Sequence, residues 1–277
     1  MNRRFCLPLA LLMLVAEACD VPHESSSSDS EWVVSSFPAD GDRDVSRLER
    51  MEVELDRRVH PNSVHRGSVE ISSGVNFSWL SAYFDLVTQK IVIGLNPDYP
   101  LRPYVTYRLS IRELVDLDGN TQPESHQVIF RTGSRTDVSI AWPRVEWSEV
   151  QRIFSKSCSG ASCHGGSTPA MGLDLSNATR IEQTAIGAFS RELPTHMVSA
   201  EGARGSYSLL AFRIIDVGVI NGRPASSYMM YKLLDDSHIV GNAMPHPDAK
   251  TGQLEREKLE AISTWILFGA VMQPESE

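Results

Sequence analysis

The first half of the chain contains short runs in which apolar and polar residues alternate, which is the pattern of half-buried β-strands. Asp118-Gly119-Asn120 separates two of these runs and predicts a turn, because Gly and Asn tolerate a positive φ. Short strands joined by polar turns predict an all-β antiparallel sandwich. The apolar residues that share one face in the three clearest runs are Met51, Val53 and Leu55; Tyr107, Leu109 and Ile111; and Val128 and Phe130.

The second half changes to a helical period. Trp147, Val150 and Phe154 lie at i, i+3 and i+7, which places them on one face of a helix that runs into Cys158. Two later segments are also predicted as helices, so the second half reads as an all-α domain. They are residues 225–234, with Ser226 or Ser227 as the N-cap, and residues 254–268, with Leu259, Ile262 and Ile266 on one stripe and Gly269 as the stop.

The N-terminus has the order of a secretory signal. Arg3 and Arg4 precede an apolar run over residues 5–15, and small residues stand just before Cys19. The run is too short to span a bilayer, which needs about 20 apolar residues. We therefore predict a signal peptide over residues 1–18. The Ala-Glu-Ala-Cys sequence also resembles a bacterial lipobox, which implies an acylated Cys19 and a membrane anchor.

Length and composition are those of a soluble globular protein with room for two domains. Residues 19–31 are serine-rich and polar, which predicts a flexible tether. The remaining chain divides into a β domain at 32–134 and a helical domain at 143–274. The 277 residues are 42% hydrophobic and carry a net charge of −9. This charge argues against a nucleic-acid partner and offers no basic patch for lipid head groups.

The sequence CSGASCHGG contains Cys158, Cys163 and His164, and only two other cysteines occur in the chain. A structural zinc site needs four ligands and commonly uses two spaced pairs, so these three residues fit it poorly. A Cys158–Cys163 disulfide is chemically possible after export but closes a very small loop. Covalent haem uses all three groups, although the usual signal is Cys-x-x-Cys-His. The residues themselves leave the disulfide and the haem open.

Wider features of the second half resemble monohaem cytochromes c. They are Phe154 before the first cysteine, the late Met244-Pro245 pair, and a closing helix with the sequence ISTWILFGA at 262–270. The resemblance covers about 130 residues, in a branch that tolerates the longer cysteine spacing. It implies one covalent haem c on Cys158 and Cys163, with His164 as the proximal and Met244 as the distal iron ligand. Rivals for the distal position are His246, His238 and Met197, whereas Met171, Met229 and Met230 are expected to be packing residues.

The first half resembles the bacterial Ig-like domain of S-layer and surface proteins. The likeness rests on the order of SSFPADGDRDVS, the strand that ends at LDRRVHPNSV, YRLSIRELVDLDGN and FRTG. Asp116, Asp118 and Asn120 have the chemistry of calcium ligands, but a plain turn is the better interpretation.

Together these features predict a lipid-anchored electron carrier at the cell envelope, with redox proteins as partners and no enzymatic activity of its own. The alternative is a surface or adhesion lipoprotein whose C-terminal domain lacks haem and holds a Cys158–Cys163 disulfide. A dihaem peroxidase would need a second attachment motif, which the sequence lacks.

Overall fold

The computed structural model describes residues 31–138, 143–191, 212–218, 222–246 and 252–272. The predicted signal peptide, most of the tether, Cys19 and Met197 lie outside these ranges. The described residues belong to one compact unit that begins at Glu31. Within those ranges, no helix has the length and apolar character needed to cross a bilayer.

Eight strands form the first lobe, which we call the β lobe. They pair antiparallel in two four-stranded sheets, with strand orders β1-β2-β6-β5 and β4-β3-β7-β8. The predicted all-β sandwich is thereby confirmed at the level of two antiparallel sheets. The strands are β1 Val33–Phe37, β2 Met51–Leu55, β3 Val69–Ser73, β4 Asn76–Phe77, β5 Leu80–Asp85, β6 Lys90–Leu95, β7 Thr106–Ile111 and β8 His126–Arg131.

The core of the β lobe lies between the sheets and follows the alternation in the sequence. Met51, Val53 and Leu55 of β2 are all buried, while the residues between them are only half-buried. Val128 and Phe130 of β8 are buried in the same way, since successive side chains of a strand point to opposite faces. The three predicted strands are therefore confirmed, with the predicted face inward.

The turn after β7 is held by its own side chains. One oxygen of the Asp116 carboxylate accepts hydrogen bonds from the backbone N–H groups of Asp118 and Asn120, at 2.9 and 2.8 Å. Its other oxygen accepts from the Asn120 amide at 2.8 Å, and Gly119 takes a φ of +88°. The predicted turn is confirmed, and Asp116 serves to close it.

The second lobe, which we call the helical lobe, contains four α-helices in its described part. The helices are α1 Trp147–Ser157, α2 Ala178–Thr184, α3 Tyr228–Leu233 and α4 Arg256–Leu267. They include the three predicted helices, although the predicted segment 225–234 begins as a 3₁₀ turn at Pro224–Ser226 before α3 starts. Ser227 is the N-cap of α3 but caps nothing with its side chain, because its hydroxyl donates to the Arg223 carbonyl and accepts from the Asp216 N–H. The predicted N-cap position is thus confirmed, although the hydroxyl of Ser227 bonds outside the helix.

The first and last helices of this lobe pack on each other through aromatic rings. Trp265 of α4 lies edge-on to Phe154 at 5.9 Å between ring centroids and contacts Trp147 at 5.4 Å. Its indole N–H donates to the Val271 carbonyl at 2.9 Å, so the one polar atom of the ring is satisfied. The closing helix α4 therefore packs on the first helix of the lobe.

A backbone approach joins the segment before α3 to the end of α4. The Gly222 N–H donates to the Leu267 carbonyl at 3.0 Å. A Cβ at residue 222 would lie 1.4 Å from the Ile266 carbonyl oxygen. Only glycine lets the two backbones come this close.

The two lobes are joined by a polar cluster around the turn that follows α3. Asp236 is 4% exposed and accepts hydrogen bonds from Arg58 of the β lobe and from the His238 ring at Nδ1. The other ring nitrogen of His238 lies 2.9 Å from Asp118, again in the β lobe. Beside this cluster, the ring of Phe212 packs between His60 and Tyr231 at 5.6 and 5.8 Å.

The cluster shifts the acid–base equilibria of two of its members. Burial acts to lower the pKa of His238, but hydrogen bonds and charge from Asp118 and Asp236 outweigh it, so that the pKa is raised from the ordinary 6.5. Burial acts to raise the pKa of Asp236, but hydrogen bonds from His238 and Arg58 outweigh it, and the pKa is lowered from 3.8. The contact therefore favours a protonated histidine between two carboxylates.

We expect this contact to make stability depend on pH. The raised pKa of His238 stabilises the folded state fully below 6.5, and this stabilisation is lost as the pH rises through the folded-state pKa. The lowered pKa of Asp236 contributes above 3.8 and is lost as the pH falls through its folded value. Urea unfolding of the wild type should give a lower free energy of unfolding at about pH 9 than at about pH 6.

The matched variant is His238→Gln, which keeps a side chain that can hydrogen-bond but cannot be protonated. It should lose clearly less stability than the wild type over the same rise in pH. Equal losses in both proteins would show that His238 is not the titrating group.

Candidate functional site

The two cysteines and the histidine of the CSGASCHGG segment are brought together by a turn at the end of α1. Cys158 is the C-cap residue, and its N–H donates to the Phe154 carbonyl at 2.8 Å. The Cys163 N–H donates to the Gly160 carbonyl at 2.8 Å, and the His164 N–H donates to the Cys158 carbonyl at 3.0 Å. The four residues between the cysteines are therefore taken up in a closed turn, which keeps His164 next to Cys158.

A glycine allows this turn to close. A Cβ at Gly165 would lie 2.2 Å from the Ser159 carbonyl oxygen, well inside contact distance. The neighbouring Gly160 has no such constraint, because a Cβ there would meet only the Cys163 sulfur at 3.9 Å. The turn therefore requires glycine at position 165 but not at position 160.

The two thiols differ in their surroundings. Cys158 is buried, Cys163 is exposed, and both are free thiols in this structure. Burial, followed by the proximity of Cys163, raises the pKa of Cys158 to about 12. Cys158 is thus a neutral thiol at physiological pH, and Cys163 is the one that solvent and reagents reach first.

His164 and Met244, the two predicted axial ligands, face each other. Nε2 of His164 lies 3.0 Å from the sulfur of Met244, although 80 residues separate them in the chain. Nδ1 of His164 lies 3.2 Å from the Leu173 carbonyl. A carbonyl oxygen only accepts, so the tautomer that bonds Leu173 carries its proton on Nδ1 and has its lone pair on Nε2. This is the tautomer that a metal-binding histidine adopts when a backbone carbonyl orients it.

A cavity of about 440 Å³ surrounds this pair. Its lining is mostly apolar and includes both cysteines, His164 and Met244. The volume falls within the range of about 300–1,000 Å³ that is usual for cofactor and ligand sites. Apolar side chains that complete the lining are Leu173, Leu175, Ile214, Met229 and Leu233.

The rival distal ligands are engaged elsewhere or outside the described ranges. His246 borders the cavity but is exposed, and its Nε2 lies 2.9 Å from the side-chain amide of Asn242. His238 belongs to the contact between the lobes, where it binds Asp118 and Asp236. The structure therefore places Met244, and not either histidine, opposite His164.

The predicted packing methionines divide into two groups. Met229 and Met230 are 3% and 0% exposed, which confirms the prediction for both. Met171 is 51% exposed at the rim of the cavity and has a φ of +53°, so the prediction that it packs in the core is wrong. The short 3₁₀ turn Ala170–Gly172 is too irregular to bury its middle residue.

The sequence analysis missed Lys232, which is 1% exposed and lines the cavity. Every residue of α3 is buried. A lysine inside a helix that is otherwise Tyr, Met and Leu was the available signal, because a helix that is apolar on all sides is buried as a whole.

Comparison with known families identifies the β lobe. Residues 31–132 match the family model described as the bacterial Ig-like domain. The match confirms the predicted domain type for this part of the chain, which is less than half of the whole. No curated protein matches the chain.

Three solved structures show a low similarity to the chain. CopC from Methylosinus trichosporium OB3b is 13% identical with a TM-score of 0.31, covering 40% of this chain and 98% of its own. The N-terminal part of the bacterial S-layer protein SbsC is 13% identical with a TM-score of 0.29, covering 36% and 23%. PcoC, a copper resistance protein from Escherichia coli, is 17% identical with a TM-score of 0.29, covering 36% and 97%.

We expect the closed turn to depend on Gly165 and not on Gly160. Gly165→Ala forces a Cβ against the Ser159 carbonyl and should lower the free energy of unfolding by about 1–3 kcal/mol, the usual cost of overpacking. Gly160→Ala should change it by less than about 0.5 kcal/mol, as exposed substitutions do. Chemical unfolding of the two variants, in parallel with the wild type, measures both values. Equal stabilities would contradict the close approach of residues 159 and 165.

Proposed function

We propose that the helical lobe is a monohaem cytochrome c domain that carries single electrons, with the haem attached covalently through Cys158 and Cys163. The observation that carries this proposal is the approach of His164 Nε2 to the Met244 sulfur at 3.0 Å, in a cavity that both cysteines also line. Local packing in the sequence does not require an imidazole and a thioether, 80 residues apart, to face each other inside a cavity. Two axial ligands must face each other in this way, and the side chains of His164 and Met244 would move apart from their 3.0 Å contact to hold an iron between them.

The donor set of the cavity fits a haem. His164 offers a neutral imidazole nitrogen whose orientation is fixed by the Leu173 carbonyl. Met244 offers a soft thioether on the opposite side, and two thiols stand beside the histidine for attachment. When bound, a haem with this ligation supplies a one-electron centre whose thioether ligand favours the ferrous state. With both axial donors supplied by the chain, the site suits electron transfer better than substrate turnover.

The surroundings of the donors suit the same role. The lining of the cavity around His164 and Met244 is mostly apolar, as suits a haem site. Trp265, packed on α1, holds the end of the helix from which Cys158 and the turn project. The exposed Cys163 marks the side of the cavity that opens to solvent, where a redox partner can approach.

The bacterial Ig-like domain and the N-terminal signal together support a place at the cell envelope. We propose that the chain is exported, anchored in a membrane by acylated Cys19, and connected to its folded part by the serine-rich tether. Redox proteins of the envelope are its proposed partners. The net charge of −9 gives no reason to propose nucleic acid.

Loss of both attachment thiols should abolish covalent haem. The full-length protein is produced in a host with a haem-attachment system, and haem is detected by its peroxidase activity on a denaturing gel. Wild type should stain, and the Cys158→Ala, Cys163→Ala double variant should not. If the wild type carries no haem and shows a disulfide by mass spectrometry, the surface or adhesion lipoprotein is the correct interpretation.

Met244 should control the spectrum and the potential of the attached haem. Ferric protein should show a weak sulfur-to-iron charge-transfer band near the red edge of the visible spectrum. Met244→Ala should remove the band, allow cyanide to bind and lower the reduction potential, because the ligand that favours ferrous iron is lost. His246→Ala is the matched control and should leave both properties nearly unchanged. The reverse result would make the ligation bis-histidine.

A further inference from the structure

The loop that carries Met244, residues 240–244, is held by two side chains of α3. Lys232 donates through Nζ to the carbonyls of Val240 and Asn242, at 2.7 and 2.8 Å. The hydroxyl of Tyr228, one helical turn earlier, accepts from the Val240 N–H at 3.0 Å. The Met244 N–H itself donates to the Lys232 backbone carbonyl at 2.8 Å.

These bonds fix alternate residues of the loop. The backbone groups of residues 240, 242 and 244 are all bound to Tyr228 or Lys232. Neither side chain has room to reorient, because Lys232 is 1% exposed and Tyr228 is 2% exposed. A buried ammonium is very costly without acceptors, so the folded state retains the loop carbonyls as its partners. The position of the loop over the cavity is thereby tied to α3.

The two candidate distal ligands, Met244 and His246, lie in different places relative to the cavity. Lys232 binds the Asn242 carbonyl, and the side-chain amide of Asn242 lies 2.9 Å from Nε2 of the exposed His246. Met244, which lies between Asn242 and His246 in the sequence, points into the cavity toward His164. Fixing the backbone at residue 242 thus places the thioether inward and keeps the imidazole at the rim.

We propose that Lys232 and Tyr228 are positioning residues that select Met244 over His246 as the distal ligand. The proposal rests on the cytochrome function proposed above. Neither residue is a ligand, since each acts through the backbone of residues 240–244. Removal of the ammonium frees the two carbonyls, lets the loop shift, and gives the imidazole access to the position of the thioether.

Lys232→Met tests the proposal, because the methionine keeps an apolar side chain of similar length and removes the ammonium group that donates to the carbonyls of Val240 and Asn242. Haem stain, ferric spectrum and reduction potential are measured on the full-length protein carrying attached haem. The variant should keep covalent haem but lose the sulfur-to-iron band and fall in potential. Lys258→Met is the matched control, because Lys258 is a half-exposed lysine of α4 paired with Glu255, and it should match the wild type.

A second measurement separates loop release from the exchange of ligand. In a His246→Ala background, cyanide competes with Met244 alone. Lys232→Met should there raise the association constant of cyanide about tenfold or more, the factor expected for losing a hydrogen bond to a charged group. Adding His246→Ala to Lys232→Met should also remove any bis-histidine spectrum that the single variant shows.

Tyr228→Phe keeps the test decisive if Lys232→Met does not fold. It removes one acceptor and no charge, and should weaken the band and raise cyanide affinity in the same direction. If the folded variants keep the band, the potential and a cyanide affinity within about twofold of their parents, the positioning role is wrong. If the wild type carries no covalent haem, the proposed function itself fails, and the stain distinguishes the two failures.

Discussion

The packing of Trp265 against α1 is the contact on which the site depends. It joins the first and last helices of the helical lobe and fixes where α1 ends. From that end the chain turns at Cys158, and three consecutive constraints follow: the turn closes, His164 returns to the Cys158 carbonyl, and Gly165 passes against Ser159. A shift of α1 would move the imidazole and both thiols together, because backbone hydrogen bonds of the turn connect them to the end of the helix.

The opposite wall of the cavity is built by another helix with different chemistry. Here Tyr228 and Lys232 of α3 hold a loop without regular secondary structure by hydrogen bonds. On the α1 side, by contrast, side-chain packing holds the helix in place. His164 is thus fixed by an apolar contact and a close backbone approach, and the loop of Met244 by the buried side chain of Lys232. The lobe contact adds a third constraint near the same loop, since Asp236 and His238 bind the β lobe just after α3 ends.

Much of this could be predicted where a local pattern decides the structure. Alternation located β2, β7 and β8, and a 3.6-residue period located α1 and α4, because one face of each is buried and the other is not. Ser227 was correctly predicted as an N-cap, but its hydroxyl bonds Arg223 and Asp216 instead of the helix, and no local pattern indicates these partners. The burial of Lys232 could have been inferred from the apolar residues around it in α3, but its acceptors could not, because they are backbone carbonyls of a loop. The pairing of Arg58 with Asp236 spans 178 residues and has no local signal at all. The facing of His164 and Met244 was anticipated only through the resemblance to cytochromes.

The contact between α1 and α4 also determines the order in which the chain can assemble. All eight strands of the β lobe precede the helical lobe in the sequence. The β lobe can therefore fold before the helical lobe has been synthesised. The helical lobe cannot complete its packing until its last helix is present, because α1 packs against α4. Until α4 is present, α1 lacks the aromatic contact of Trp265 with Trp147 and Phe154. In the haem attachment proposed above, the thiol of Cys158, which is buried in the folded protein, would be easier to reach before α4 packs on α1 than afterwards.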